Sequence, residues 1–209
     1  EINKKATIKR HEQGWVDLII NDLDKLIDRA VKAKNDKEAI SIAYNGHIVD
    51  LWERLVERNI KVDIGSDQTS LHNPWAGGYY PQGMKYEEAN NLMVNNPSLF
   101  KEKVQETLRS HVNAINTMAK RGMYFFDYGN AFLLEAKRAG ADILNESRNF
   151  KFQSYVQDIM GPMCFDYGFG PFRWVCSSNQ KEDLQATDRI AAEVLEKLKI
   201  NSPDEIKLQ

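Results

Sequence analysis

Short apolar runs alternate with longer stretches of helical spacing along this chain. The runs at 39–46 and 60–66 end in polar turn formers, which is typical of strands. The stretches at 47–59 and 98–122 carry apolar side chains every three or four positions, which predicts helices. Because strands that alternate with helices are typical of βαβ units, we expect an α/β fold with a mostly parallel sheet.

The same pattern places ten elements along the chain. The predicted helices cover 14–34, 47–59, 87–96, 98–122, 130–140 and 182–199. The predicted strands cover 39–46, 60–66, 123–129 and 172–178. Gly122 and Gly140 stand where two of the helices should end, since glycine readily takes the left-handed conformation that closes a helix.

Polar or aromatic loops follow three of these strands, at 44–47, 66–81 and 127–130. In open α/β sheets, ligands bind outside the carboxyl ends of the strands, so these loops are predicted to share one ligand-binding edge. The loop 66–81, "SDQTSLHNPWAGGYYP", is the longest of the three. Its residue spacing alone is equally compatible with a ligand site and with a surface loop that is held together by its own hydrogen bonds.

Composition excludes several classes of function. The net charge of −2 and a pI near 6.1 give no basic field for a nucleic acid. No stretch approaches the ~18 apolar residues of a membrane span. Two cysteines, Cys164 and Cys176, are too few for a disulfide scaffold and favour free thiols in a cytoplasmic protein, although a single bridge between them is compatible with the sequence.

Nucleophile and metal signatures are weak. Ser70 and His72 lie close together, but no G-x-S-x-G elbow surrounds the serine. The four histidines show no metal-ligand spacing. His11 and His111 lie on predicted helices amid charged residues, so we expect both to be solvated, whereas His72 in the loop is a candidate ligand contact.

Three long motifs resemble one family. "DQTSLHNPWAGGYYPQG" (67–83), "FFDYGN" (125–130) and "GFGPFRWVCSS" (168–178) are similar, in this order and at about this spacing, to segments of the urocanate hydratases, or urocanases. The resemblance covers essentially the whole chain. It implies a Rossmann-like, three-layer α/β domain with a mostly parallel sheet.

The resemblance also implies a function. The family adds water to urocanate in histidine degradation to give imidazolonepropionate, with tightly bound NAD+ as an electrophile, in a cytoplasmic homodimer. Residues 1–209 would be most of the NAD-binding domain. The glycine-rich phosphate loop and the flanking regions would lie outside this chain, so we expect the isolated chain to be inactive.

Site residues follow from the resemblance, position by position. It assigns cofactor contacts to Glu1, His47, Gln68, Thr69, Ser70, Leu71, His72, Tyr79, Tyr80 and Tyr128. It assigns catalytic positions to Tyr128 and Asp166, and it makes Arg173 a candidate for binding the substrate carboxylate or for local structure. The chain departs from many bacterial members in having Asp166 in place of a cysteine, His47 in place of an asparagine and Ala6 in place of an arginine.

Two other functions stay open at this stage. One is a conventional NAD-dependent oxidoreductase domain that transfers hydride, although no histidine or lysine stands convincingly beside the nicotinamide-facing loops. The other is a non-catalytic scaffold that has kept the fold and lost the cofactor.

Overall fold

The computed structural model describes residues 1–168, 170 and 176–201. The chain divides into two compact units, Glu1–Met163 and Cys164–Gln209. Every described strand lies in the first unit. The second unit contains one long helix in its described part.

The elements alternate as the sequence predicts. The α-helices are α1 (Lys4–Glu12), α2 (Leu23–Asp36), α3 (Ile48–Glu57), α4 (Tyr86–Asn95), α5 (Pro97–Lys120), α6 (Phe132–Arg138), α7 (Gly161–Met163) and α8 (Lys181–Asn201). The strands are β1 (Leu18–Ile19), β2 (Ile42–Ala43), β3 (Ile64–Asp67), β4 (Tyr124–Asp127) and β5 (Gln153–Ser154). Short 3₁₀ turns cover Pro74–Ala76 and Phe165–Tyr167, and a π-helical segment covers Tyr155–Met160.

All strand pairs in the described residues are parallel. β1 pairs with β2, and β4 lies between β3 and β5 in a second, three-stranded sheet. The register between β3 and β4 sets Asp67 opposite Asp127, so both strands end at the same edge. Parallel strands linked by helices confirm the predicted α/β class.

The predicted helix at 14–34 is wrong over its first nine residues, 14–22. Leu18–Ile19 form strand β1 beside β2, and α2 begins only at Leu23. Asp22 starts that helix because its carboxylate accepts the Lys25 backbone N–H at 2.9 Å. Apolar residues before this cap fit both helical and strand spacing, and pairing with β2 decides between them.

The remaining predicted elements can also be compared with the structure. Helix α1 and the short strands β1 and β5 are not among the sequence-based elements. Strands β1 and β5 have two residues each, which is too short to show a period, and α1 buries only Thr7 and so has no apolar face. Residues 172–175 of the predicted strand 172–178 lie outside the described residues, and residues 176–178 are described but do not form a strand. Gly122, with φ of 99°, follows the last residues of α5 and confirms the predicted helix end.

The core of the first unit forms around α5. Val104, Leu108 and Ile115 of this helix are fully buried, and they share one hydrophobic cluster with Phe125 of β4 and Phe132 of α6. These positions repeat every three or four residues along α5, which is the spacing of a helix with one apolar face. The helix therefore supports the strands whose carboxyl ends form the site.

The two faces of the three-stranded sheet differ in burial. Side chains alternate along a strand, so Asp67 and Phe125 point to the buried face. On the other face, Ile64 is 66% exposed and Tyr124 is 47% exposed. Phe126 lies beside Tyr124, with ring centroids 5.9 Å apart, and continues an aromatic row on this face.

The described ranges contain neither a membrane-spanning helix nor a cluster of metal ligands. None of their helices is both long and apolar enough to cross a bilayer. No group of three or more histidine, cysteine or acidic side chains there is placed to hold a metal ion. Cys164 and Cys176 are free thiols.

His111 is fully buried in the core, so the expectation of a solvated side chain is wrong. Its helix turns this position to the apolar face, between Leu108 and Ile115. The Nδ1 atom lies 3.0 Å from the Tyr79 hydroxyl, and the ring packs against Phe132 at 5.0 Å. Burial lowers the pKa of His111 from 6.5 to about 3, so the imidazole is neutral at physiological pH.

The long loop closes on itself through backbone hydrogen bonds. Ser70 N–H donates to Gly78 O, Gly78 N–H to Asn73 O, and Asn73 N–H to Ser70 O, each at 3.1 Å. A Cβ atom on Gly78 would overlap the carbonyl oxygens of Ser70 and Asn73. Backbone atoms cannot move aside as the tip of a side chain can, so only glycine fits at this position.

Replacing His111 by glutamine should make the free energy of unfolding depend less on pH in the acidic range. The native pKa of about 3 lies below the ordinary 6.5, so only the unfolded chain binds this proton between those values. The contribution of His111 to the free energy of unfolding is therefore fully present above pH 6.5. It is lost as the pH falls toward 3, by up to about 1.4 kcal/mol per pH unit. Urea unfolding across this pH range should give a shallower slope of the unfolding free energy against pH in H111Q than in the wild type. The exposed-site control H11Q should keep the wild-type slope, and equal slopes in all three proteins would contradict the assignment.

Substituting Gly78 by alanine should lower the free energy of unfolding by about 1–3 kcal/mol, the usual cost of forcing an extra methyl group into a packed site. The matched control is Gly161→Ala, where the nearest atom to a new Cβ is Val156 O at an ordinary 3.6 Å. Thermal unfolding followed by circular dichroism measures both. A Gly78→Ala protein as stable as the control would show that the loop backbone can open without cost.

Candidate functional site

A cleft of about 430 Å³ opens at the carboxyl end of β3. The start of α3, the long loop and the first residues of the chain form its walls. Seven of the residues assigned to the cofactor by resemblance line it together: Glu1, His47, Gln68, Thr69, Ser70, Tyr79 and Tyr80. They come from four separate parts of the sequence, so the fold assembles them at the predicted edge.

A second cavity of about 480 Å³ lies between α2 and α3. It is mostly apolar, with Leu26, Ile27 and Leu55 in its walls, and it contains none of the predicted site residues. Ligand sites usually combine apolar walls with a few convergent polar groups. The cleft at β3 has such groups, and we therefore take it as the candidate site.

His47 fastens α3 to the long loop. Its Nδ1 accepts the Val49 N–H at 3.1 Å, which caps the helix, and its Nε2 lies 2.7 Å from Tyr80 O. A carbonyl oxygen only accepts, so Nε2 carries the proton and donates it to Tyr80. Burial lowers the pKa of His47, which keeps this neutral form. Both ring nitrogens are thus bound to backbone, and the ring offers the cleft its carbon edge and face.

The two tyrosines of the loop turn their hydroxyl groups away from the cleft. Tyr79 is 3% exposed, and its hydroxyl lies 3.0 Å from His111 Nδ1 in the core. The hydroxyl of Tyr80 donates to Asn90 Oδ1 at 3.0 Å. A ligand therefore meets the backbone and ring atoms of these residues.

Glu1 lies beside the turn that follows β2. Gly46 N–H donates to the backbone oxygen of Glu1 at 3.1 Å, and Asn45 Nδ2 donates to the same oxygen at 2.9 Å. The Glu1 carboxylate forms an ion pair with Arg10, which also lines the cleft. Sequence reasoning missed Arg10, since nothing in the spacing of α1 relates it to the loops.

Asp67 and Asn130 are the other residues that sequence reasoning missed. Asp67 ends β3, lines the cleft and is 3% exposed. Asn130 Nδ2 donates to Asp67 Oδ1 and to Thr69 O, at 2.6 Å in both cases. Burial raises the pKa of Asp67, while the hydrogen bonds from Thr69 and Asn130 act in the opposite direction. Both residues stand in the "DQTS" and "DYGN" motifs, so the available signal was their position at two strand ends.

The remaining predicted residues lie elsewhere. Leu71 is fully buried in the hydrophobic core, and His72 is exposed. Tyr128 is 46% exposed and stacks on Tyr155 with ring centroids 5.1 Å apart. Asp166 is exposed in the 3₁₀ turn of the second unit, and Arg173 lies outside the described residues. The assignments of these residues by resemblance stay predictions.

Two family models match the chain. The Urocanase Rossmann-like domain matches residues 1–159, and the Urocanase C-terminal domain matches residues 162–204. The models meet close to the boundary between the two compact units. The sequence-based prediction of one domain over 1–209 remains a prediction beside this division.

Curated relatives match nearly the whole chain. A probable urocanate hydratase of Dictyostelium discoideum is 56% identical over 95% of the chain. The probable urocanate hydratase of Caenorhabditis elegans is 49% identical over 100%, and the urocanate hydratase of Mus musculus is 52% identical over 94%. The chain spans about a third of the length of these relatives, 30–32% in each case. The match of the Rossmann-like model to most of the chain shows that it belongs to the urocanase family.

Proposed function

We propose that this chain is part of a urocanate hydratase and that the cleft at β3 holds NAD. The observation that carries the proposal is the convergence of Glu1, His47, Tyr79, Tyr80 and the Gln68–Ser70 segment on one cleft. The resemblance to the urocanases assigns each of these residues to the cofactor independently of the cleft. The names of the relatives support urocanate as the substrate.

The residues of the cleft fit a dinucleotide. Gly46, Gly77 and Gly78 give its wall main-chain atoms in place of side chains. Ser66, also in the wall, has a buried hydroxyl with no hydrogen-bond partner among the described residues, and a ligand group can satisfy it. The cleft also lies at the carboxyl end of a parallel strand, where α/β folds place nucleotides.

Different residues of the cleft have different roles in binding and orienting the cofactor. NAD, when bound, supplies the electrophile for the chemistry on urocanate. The Glu1 carboxylate would accept hydrogen bonds from ribose hydroxyls, as an acid does at this place in dinucleotide folds. The Gln68–Ser70 segment provides fixed donors and acceptors that orient the bound group. Because these groups are held by the loop's own hydrogen bonds, they need little reorganisation during the reaction.

Tyr128 and Asp166 are the proposed catalytic residues. Tyr128 follows β4 directly, so it leaves the sheet at the same edge as the cleft, next to the end of β3. Its backbone N–H donates to Asp67 O at 3.2 Å, which ties its position to the cleft wall. The remaining cofactor assignments, to Leu71 and His72, belong to the same proposal and rest on the motif.

The whole protein is proposed to act in histidine degradation as a cytoplasmic homodimer. The conventional oxidoreductase remains the alternative, because a Rossmann-like fold alone is compatible with hydride transfer. A non-catalytic scaffold is the third possibility. The three differ in what happens to urocanate and to the nicotinamide absorbance.

The function is tested by mixing urocanate with the purified full-length urocanase that carries these residues. We expect the near-ultraviolet absorbance of urocanate to fall catalytically without any added reductant or metal, while no NADH absorbance appears. Appearance of NADH in step with substrate loss would favour the oxidoreductase. Untouched urocanate with NAD still bound would mean that the fold is kept and the substrate has changed.

Replacing Tyr128 by phenylalanine in that enzyme should reduce turnover by about tenfold or more, since it removes one hydrogen-bonding group from the reacting region. Its melting temperature should stay near the wild-type value, because the half-exposed ring still stacks on Tyr155. Tyr124→Phe is the matched control, because Tyr124 lies four residues earlier, at the start of β4, and has a similar exposure. Equal losses of activity and melting temperature in Tyr128→Phe would show that the residue acts through packing.

A further inference from the structure

Asn130 links two loops that are far apart in sequence. It lies after β4, in the turn that leads to α6, and it is 7% exposed. Its Nδ2 donates to Asp67 Oδ1, across 63 positions of sequence, and to Thr69 O. Both distances are 2.6 Å, and both acceptors belong to the start of the long loop.

Asp67 gathers further donors on the same oxygen. Its Oδ1 accepts the Thr69 backbone N–H at 3.1 Å and the Thr69 hydroxyl at 2.7 Å. A carboxylate that is 3% exposed needs such donors, because burial without them would be very costly. The carboxylate and the Asn130 amide thus hold the first turn of the loop from two sides.

The rest of the Asn130 side chain fixes its orientation. Its Oδ1 accepts the Phe132 N–H at 3.3 Å, where α6 begins. Ala131, between them, has a left-handed φ of 69° and gives the helix no side-chain cap. With its oxygen engaged at the helix, the amide can only present its two N–H groups toward the loop.

We propose that Asn130 is a positioning residue for the cofactor cleft. Its amide holds Asp67 and the Thr69 carbonyl in place, and so fixes the backbone that presents Gln68, Thr69 and Ser70 to the ligand. This inference rests on the proposal that the cleft binds NAD. It adds a residue to the site that does not itself line the cleft.

The informative variant is Asn130→Asp. It keeps the shape of the side chain but sets a second carboxylate against Asp67, so the two repel each other when both are charged. At acidic pH one proton can be shared between them, and an O–H···O hydrogen bond restores the link to Asp67, although not the one to Thr69 O. The variant should therefore fail near neutrality and recover as the pH falls, which a purely steric role would not produce.

Other titratable groups surround this pair. Asp127 of β4 and Tyr79 of the loop interact electrostatically with Asp67. On α6, Glu135 is held by Arg138 at 2.6 Å, and on α5 the neutral His111 packs against Phe132. All of these groups are present in the wild type as well, so each measurement is expressed as the ratio of variant to wild type at the same pH.

Two measurements distinguish the effect of Asn130 on the loop from its effect on cofactor binding. The first is hydrogen exchange of peptides from the loop 66–81, compared with peptides from α5 (97–120), in the protein without ligand. The second is the dissociation constant for NAD+ in the full-length enzyme. At about pH 7.5, Asn130→Asp should bind NAD+ at least about tenfold more weakly, and most of this loss should be regained near pH 5.5.

Two further variants complete the test. Asn130→Ala should release the loop at every pH, because nothing can replace the lost donor. Asn116→Asp also loses an amide donor, which bonds Asp142 O at 2.8 Å, but it does not touch the loop and should match the wild type.

The outcomes are distinct. Faster exchange confined to the loop, with recovery in acid for Asn130→Asp, supports the proposal. A pH-independent ratio, or equal loss of protection in the loop and α5, overturns it in favour of a general structural role. If the wild-type enzyme does not bind NAD+, the proposed function fails, while the exchange data still decide whether Asn130 fixes the loop.

Discussion

The parallel, in-register pairing of β3 with β4 is the constraint on which the site depends. It sets Asp67 opposite Asp127, so the loops that follow both strands start at one edge. A shift of one residue would turn Asp67 to the other face of the sheet and separate it from Asn130. The buried face of α5 holds this register from below, because the side chain of Phe125 packs into the same cluster as Leu108.

Neutral polar groups form the inner frame of the cleft. His47 and His111 both have lowered pKa values, and between them they hold the Tyr79–Tyr80 segment through one hydroxyl and one carbonyl. Neutral imidazoles can be buried at far lower cost than charged ones. Charged groups of the cleft, Glu1 and Arg10, stay partly exposed at its outer side. The buried part of the frame is therefore mostly neutral, and its carboxylate, Asp67, accepts hydrogen bonds from Thr69 and Asn130.

Sequence patterns predicted the elements with clear periods and failed where burial depends on a partner. The helices at 48–57 and 97–120 were predicted because their apolar positions repeat with helical spacing. The start of α2 was missed because strand pairing with β2 overrides the local period. His111 was misplaced because charges on neighbouring positions hide the face on which it lies.

The site was predictable to a similar degree. Motifs and strand ends pointed to the long loop, and resemblance pointed to Glu1 and His47; all of these contribute to the lining of one cleft. The link between Asp67 and Asn130 could not be predicted, because it needs the register of two strands that lie about sixty residues apart. Arg10 was missed for a different reason, since its partner Glu1 meets it only after α1 has folded.

The exposed face of the three-stranded sheet affects how the isolated protein behaves in solution. Parallel sheets in α/β proteins are usually covered on both faces, yet Ile64 and Tyr124 here are exposed by 66% and 47%. Apolar surface of this kind favours self-association as the protein concentration rises. If light scattering or gel filtration shows a dimer of the 209-residue chain, contacts through this face contribute to it as well as any native interface. Polar substitutions at these two positions would make the two contributions separable.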